Sequence, residues 1–197
     1  MQVVLDWDGT VTEVDGLDLA LLEFGDEHVY EEHEARLGRE LTLHEVIASE
    51  FRTVRAPLEE VVAWVRENVR VRAGFVSFAR ERRPLIVSSG FHELIEPVLE
   101  REGLELEVRA NQLDPRPEGW RVLFRDEAAC SVCGEPCKRS AVATLDGFAY
   151  VGDGISDRCV ALAATRVFAR AGLADYLAAE GVPFESFEDF NDVSGSL

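Results

Sequence analysis

Apolar positions along the chain alternate between two kinds of pattern. Val3, Val4 and Leu5 form a short, β-prone run, and similar runs recur at 85–87 ("LIV") and 148–151 ("FAYV"). Short stretches that are apolar at every position predict strands covered on both faces. Between them the period lengthens to that of a helix. "LTLHEVIASEF" sets Leu43, Val46, Ile47 and Phe51 on one face. "PLEEVVAWVRENV" repeats this with Leu58, Val61, Val62, Val65 and Val69, behind Pro57 as a helix starter. "FVSFARERR" predicts a further helix before Pro84, and "FHELIEPVLEREG" another, closed by Gly103. "LELEVRANQLDPRPEGWRVLFRD" alternates on both sides of a Pro/Gly-rich turn, as a hairpin does. "KRSAVATL" reads as a short helix, and "VALAATRVFARAGLADYLAAEG" as helix, short strand, helix.

Strands alternating with helices imply an α/β fold, a Rossmann-like parallel sheet flanked by helices. The helical block after the first strand reads as a small cap. The expected division is a core of residues 1–14 and 75–197 and a helical cap of 15–74. In such sheets ligands bind beyond the carboxyl ends of the strands. Three strand ends, at Leu5, Val87 and Val151, run into "DWDGT", "SSG" and "GDGISD". Those loops are expected to meet on one edge.

Composition narrows the setting. A chain of 197 residues, 47% hydrophobic, suffices for one core domain with a modest insertion. No apolar run approaches the ~20 residues of a membrane-spanning helix, and no basic segment followed by a long apolar stretch opens the chain. A cytoplasmic location is the expectation. A net charge of −18 argues against nucleic acid or an anionic membrane as the main partner. Of the 20 basic residues only Lys138 is a lysine, which marks a place where a compact ammonium serves better than a guanidinium.

The three loops and Lys138 gather Asp6, Asp8, Ser88, Ser89, Gly90, Asp153 and Asp157 at one edge. So many carboxylates do not stay ionised together without a cation, and hard oxygen donors favour Mg²⁺. A serine hydroxyl, glycine-rich amides and a lysine supply what a phosphoryl group needs. An aspartate beside a metal is a competent nucleophile, and a neighbouring carboxyl can act as acid and base.

"DWDGT", "VSSGF", the isolated Lys138 and "GDGISD", in this order, resemble the four motifs of the haloacid dehalogenase superfamily in its phosphatase branch. The helical spacer between the first two motifs is similar to the cap of the phosphoserine-phosphatase-like subfamily. The resemblance implies Asp6 as nucleophile and Asp8 as general acid/base. It implies Mg²⁺ held by Asp6, the backbone carbonyl of Asp8, and Asp153, with Asp157 in support. Ser88 and Lys138 would bind the phosphoryl oxygens, with Gly9, Thr10, Ser89, Gly90 and Gly154 completing the phosphate site.

The segment from "LTLHEV" to "FVSF", and the ending "FARAGLADYLAAEGVPFESFEDF", resemble the methionine-salvage phosphatases that act on 2-hydroxy-3-keto-5-methylthiopentenyl-1-phosphate. The loop "CSVCGEPCKRS" resembles both those enzymes and phosphoethanolamine/phosphocholine phosphatases. Phosphoserine phosphatases bind their substrate with a cap arginine, and none precedes Arg52 in the matching helix, although Asp15 could serve as the acidic partner. The expected function is therefore a Mg²⁺-dependent phosphomonoesterase for a small metabolite, the methionine-salvage ester first. Phosphoserine and phosphoethanolamine or phosphocholine are the alternatives, and a phosphotransferase or a non-catalytic binding protein the other classes. A monomer or homodimer is expected.

Cys130, Cys133 and Cys137 offer three thiolates where a structural zinc site wants four ligands; Cys159 or His92 could supply the fourth. Structural zinc, reduced thiols and a disulfide all remain open on the sequence. His92, directly after "SSGF", is a candidate neighbour of the phosphate site, and His44 is expected on the surface. Trp7 should point away from its flanking aspartates, and Trp64 should pack in the cap core.

Overall fold

The computed structural model describes residues 1–197 and has the expected α/β architecture. The chain forms β1 (Gln2–Leu5) and then four helices: α1 (Gly16–Phe24), α2 (Glu27–Glu34), α3 (Leu43–Phe51) and α4 (Leu58–Asn68). Next come α5 (Phe75–Arg82), β2 (Leu85–Phe91), α6 (His92–Arg101), β3 (Val108–Asp114) and β4 (Arg121–Leu123). The remainder is β5 (Phe148–Gly152), α7 (Arg158–Ala161), β6 (Arg166–Ala169), α8 (Ala171–Ala179), β7 (Glu185–Ser186) and α9 (Phe190–Ser196), with 3₁₀ turns at Lys138–Val142 and Ile155–Asp157. The sheet order is β4-β3-β2-β1-β5-β6-β7, parallel except for the β3–β4 hairpin. No helix is long and apolar enough to cross a membrane.

The central strands β1 and β5 and the first half of β2 are apolar because both sheet faces are covered there. Successive side chains point to opposite faces, so Val3, Leu5, Ile86, Val151 and Phe168 join one core cluster. Val4, Leu85, Val87, Tyr150 and Val167 join the other. Each fully buried side chain of this kind contributes roughly 1.5–3 kcal/mol relative to exposure. Trp7 turns into the first core and meets Phe75 edge-on, with ring centroids 6.2 Å apart. Trp64 packs edge-on against Phe24 between α1 and α4.

The chain departs toward α1 and returns from α4 through one pair of neighbouring backbones. Thr12 and Val71 form an antiparallel bridge, with Glu13 N–H donating to the Arg70 carbonyl and Arg72 N–H to that of Val11. Local signals set the helices between. Asp15 caps α1 by accepting from Leu17 and Asp18 N–H, and Thr42 with Glu45 forms a reciprocal capping box on α3.

Three expectations need correction. Residues 138–145 do not form an α-helix. Cys137 is fully extended, the Ser140 hydroxyl donates back to its carbonyl, and a left-handed Gly147 turns the chain, so only a 3₁₀ turn fits. Ser88–Gly90 is not a loop beyond the strand; β2 continues to Phe91, with a register shift against β3 after Val87. His44 is half-buried rather than exposed, stacked on Phe124 at 3.8 Å.

Candidate active site

The carboxyl ends of β1, β2 and β5 converge as the alternating pattern requires. Asp6 is the first residue past β1, and its N–H donates to the Val151 carbonyl of β5 at 2.9 Å. That bond fixes the carboxyl at the sheet edge, where it is only 4% exposed. Its Oδ1 accepts from the Trp7 N–H at 2.7 Å and from Lys138 Nζ at 2.5 Å. Oδ2 has no hydrogen bond within the protein.

Lys138 is buried between two carboxylates, with Nζ also 2.7 Å from Asp157 Oδ1. Burial alone would lower the ammonium pKa, but Asp157 and Asp6 more than reverse this and hold Lys138 charged. Asp157 spends both oxygens on structure. Oδ1 also accepts from the Tyr150 hydroxyl, and Oδ2 from the N–H groups of Asp153 and Gly154. Burial pushes its pKa up, and Lys138 with those N–H groups brings it below the usual range. It anchors Lys138 and the loop carrying Asp153.

Asp8 lies across the site, its Oδ1 accepting from Gly16 N–H at 3.0 Å and its Oδ2 3.4 Å from the Ser88 hydroxyl. Burial raises its pKa well above the carboxylate range, and Asp15 adds to this. Asp6 is raised by burial and then by Asp157, with Lys138 opposing. Asp153 is likewise raised by burial and Asp157, while accepting from the Thr10 hydroxyl at 2.8 Å. Gly9 explains itself: its φ is +72°, and an added Cβ would lie 2.4 Å from Asp153 Oδ2. Gly90 is similarly confined by Asp8 Oδ2, and its N–H donates to Ser88 Oγ. Nothing lies within 4 Å of a Cβ built on Gly154.

Oxygens of Asp6, Asp153 and Asp157 all lie within 4.8 Å of one another. Four carboxylates thus surround one lysine, and burial holds three of them reluctant to ionise. This hard-oxygen, charge-deficient set fits Mg²⁺.

Several contributors carry no local signal in the sequence. Arg72 donates to the carbonyls of Gly9, Thr10 and Thr12, clamping the β1 loop. Arg170 Nη1 reaches the Gly9 carbonyl at 3.3 Å. Buried Asn111 donates to the Ser89 carbonyl and accepts from Arg125 N–H, bracing the end of β2. His92, by contrast, faces Glu96 at 2.7 Å on its own helix and lines neither cavity of the site.

Two cavities meet at this edge. One of about 170 Å³ lies over Asp6, Asp8, Ser88, Lys138 and Asp153, walled on the helical side by Asp15, Asp18, Glu34, Glu50 and Phe51. The other, of about 410 Å³, shares Ser88, Ser89 and Lys138 and extends past Leu43, His44, Asn111 and Arg125 toward Tyr176. In the first, Glu50 is 4% exposed and its Oε1 has no partner. Burial, then Glu34, raises the Glu50 pKa to about 8.

That shift has a signed consequence. Between the ordinary glutamate pKa of about 4.3 and about 8, the folded state keeps a proton the unfolded chain has lost. Native stability from this group is full at low pH and is lost as pH rises through about 8. Glu50→Gln is therefore expected to gain stability over wild type at about pH 9, by at most about 5 kcal/mol, and by no more than about 1 kcal/mol at about pH 5, in urea unfolding. An equal effect at both pH values would contradict this.

The family of haloacid dehalogenase-like hydrolases matches residues 3–162, and the chain belongs to it. It is 27% identical over 207 residues to the 2-hydroxy-3-keto-5-methylthiopentenyl-1-phosphate phosphatase of Exiguobacterium sp., covering 99% of this chain and 96% of that one. Identity is also 27% over 210 residues to the protein of the same name from Bacillus mycoides, at 100% and 95% coverage. Among solved structures, a phospho-aspartyl intermediate analogue of phosphoserine phosphatase superposes with a TM-score of 0.73 at 17% identity, over 100% of this chain and 98% of that one. Substrate-bound phosphoserine phosphatase gives 0.74 at 15%, at the same coverage. At such identities the likeness is one of fold.

Proposed function

We propose that this phosphoric monoester hydrolase is Mg²⁺-dependent and works through an aspartyl-phosphate on Asp6. The observation that carries the reading is the Asp6–Lys138–Asp157 relay beside Asp153. It fixes one oxygen of Asp6 and leaves Oδ2 free over the smaller cavity. In this reading Asp6 Oδ2 attacks phosphorus as the ester P–O bond breaks. Asp8, whose carboxyl burial holds well above the usual carboxylate range, gives its proton to the departing oxygen. Asp8 then accepts a proton from the water that attacks the aspartyl-phosphate, releasing inorganic phosphate and restoring Asp6. Ser88 and Lys138 bind the phosphoryl oxygens. Gly9, Thr10, Ser89, Gly90 and Gly154 shape the backbone around them, with the Gly9, Gly90 and Gly154 N–H groups donating to Thr12 Oγ1, Ser88 Oγ and Asp157 Oδ2. Asp6, Asp153 and the Asp8 carbonyl would hold Mg²⁺, which when bound supplies charge neutralisation between carboxylates and phosphoryl group.

Residues 15–74 act in this reading as a cap that selects the leaving group. The substrate proposed is 2-hydroxy-3-keto-5-methylthiopentenyl-1-phosphate, supported by the end-to-end relatives of that name. The larger cavity supports it too: Leu37, Leu43 and Leu162 offer apolar surface for a thioether tail, and Asn111 and Arg125 offer donors for oxygens. One observation favours a second substrate class. Asp15, Asp18, Glu34 and Glu50 make the smaller cavity acidic, with an unpartnered buried carboxyl oxygen, which suits the ammonium group of an amino-alcohol phosphate. The same wall lacks the cation a phosphoserine carboxylate would need.

Phosphate release from a panel of these esters, with Mg²⁺ and with a chelator, tests the proposal. Mg²⁺-dependent turnover with the highest kcat/KM on the methionine-salvage ester is expected. A preference for phosphoethanolamine that Glu50→Gln abolishes would transfer the assignment to the amino-alcohol class. Absence of turnover on every ester, an activated aryl phosphate included, would overturn the catalytic reading.

A further inference from the structure

The four cysteines take no part in the proposed reaction, yet the fold brings all of them together. Cys130, Cys133 and Cys137 lie in the loop before Lys138, and Cys159 comes from α7, more than twenty residues later. Their four Sγ atoms all lie within 4.8 Å of one another, with Cys130 and Cys159 at 3.9 Å. A tetrahedral ion bound at about 2.3 Å to each sulfur sets sulfur–sulfur edges of about 3.8 Å. The cluster already has nearly that size.

Two other readings fit less well. Thiols that merely fill a core are buried, whereas Cys133 is exposed, and Cys130 and Cys137 are partly so. A disulfide would pair two sulfurs at about 2.05 Å, and it would leave the other two without a reason to converge. The loop is also shaped for ligation. Gly134 is left-handed at φ +82°, its N–H donates to the Cys130 carbonyl, and Cys130 N–H donates to Glu135. Within this tight turn the Val132 N–H points at Cys130 Sγ, 3.4 Å away, as a donor to a thiolate.

We propose that Cys130, Cys133, Cys137 and Cys159 hold a structural zinc ion. Thiolate donors in a closed set of four favour zinc over the hard cations suited to the aspartates, and uptake by the thiols releases their protons. Position gives the site its purpose. Cys137 directly precedes Lys138, and Cys159 lies two residues beyond Asp157. One ion would therefore tie together the two segments whose side chains form the buried Lys138–Asp157 pair. It is a brace for the position of the ammonium group, and it does not depend on which ester is hydrolysed.

Metal content of the intact protein decides the matter. Protein made in zinc-supplemented medium and purified reduced, without chelator, is expected to carry one zinc per chain by plasma mass spectrometry. Co²⁺ in its place should give the intense visible bands of tetrahedral thiolate coordination. Cys133→Ser, at an exposed position, and Cys159→Ala should each lose the zinc and the cobalt bands. Asp153→Asn should keep both, which separates this site from the carboxylate cluster. Should Cys159→Ala not fold, the exposed Cys133 variant alone carries the comparison. Metal-free protein that takes up no zinc and shows four freely reacting thiols would overturn the proposal. So would a disulfide, or zinc that survives Cys133→Ser and is lost in Asp153→Asn.

Discussion

Asp6→Asn is expected to abolish turnover while leaving the fold intact or more stable. An amide has no nucleophilic lone pair to match the carboxylate, so kcat on the best ester should fall by at least about 10⁴-fold. Stability should move the other way. Asp6 is buried beside Asp157 and Asp153, and both raise the cost of its charge. An isosteric amide removes that cost, and Lys138 keeps Asp157 as its partner. Thermal unfolding in chelator should give a melting temperature no lower than wild type. A large loss of stability together with residual activity would mean that Asp6 is structural and that another group attacks.

Lys138→Ala is the complementary case, and here activity and stability should fall together. Lys138 is the only cation bonded to Asp6 and Asp157, and both carboxylates are nearly sealed from water. Removing one member of a buried charge network costs about 3–5 kcal/mol, because the group left behind cannot regain its hydration. Urea unfolding at neutral pH in chelator should register a loss of that order. It should shrink at low pH, where Asp157, no longer held below the usual carboxylate range by the lysine, takes up a proton. Arginine is not expected to rescue the variant, since a planar guanidinium does not fit a pocket built for a single Nζ between two oxygens 2.5 and 2.7 Å away. A Lys138→Ala protein as stable as wild type would contradict the relay.

Much of this site was legible because its parts are local. A buried strand followed by polar or glycine-containing sequence is a short-range signal, and three of them sufficed to bring Asp6, Asp8, Ser88 and Asp153 to one edge. Lys138 stood out by composition alone. What escaped was set by distant partners. β2 runs on through Ser88–Gly90 because β3 continues to pair with it, and small polar residues by themselves do not announce that. The segment after Cys137 has helix-forming composition but is committed at its start to the buried Lys138 contacts, and it is turned at Gly147. Arg72 and Asn111 act on backbone carbonyls far away in sequence, so neither leaves a motif. His92 looked promising from its place after "SSGF", yet the first turn of α6 directs it to Glu96. Cys159 was one of two candidates for the fourth ligand beside Cys130, Cys133 and Cys137, and only the fold brings it to them, while His92 pairs with Glu96.

The central claim is the aspartyl-phosphate on Asp6, and rapid acid quench tests it most directly. The enzyme would be mixed with excess activated ester and Mg²⁺, stopped within the first turnover, digested and read by mass spectrometry. A phosphoryl group on Asp6 that appears before free phosphate and decays as phosphate is released is the predicted result. Phosphate released from the first turnover onward, with no adduct on Asp6 at any quench time, would contradict it.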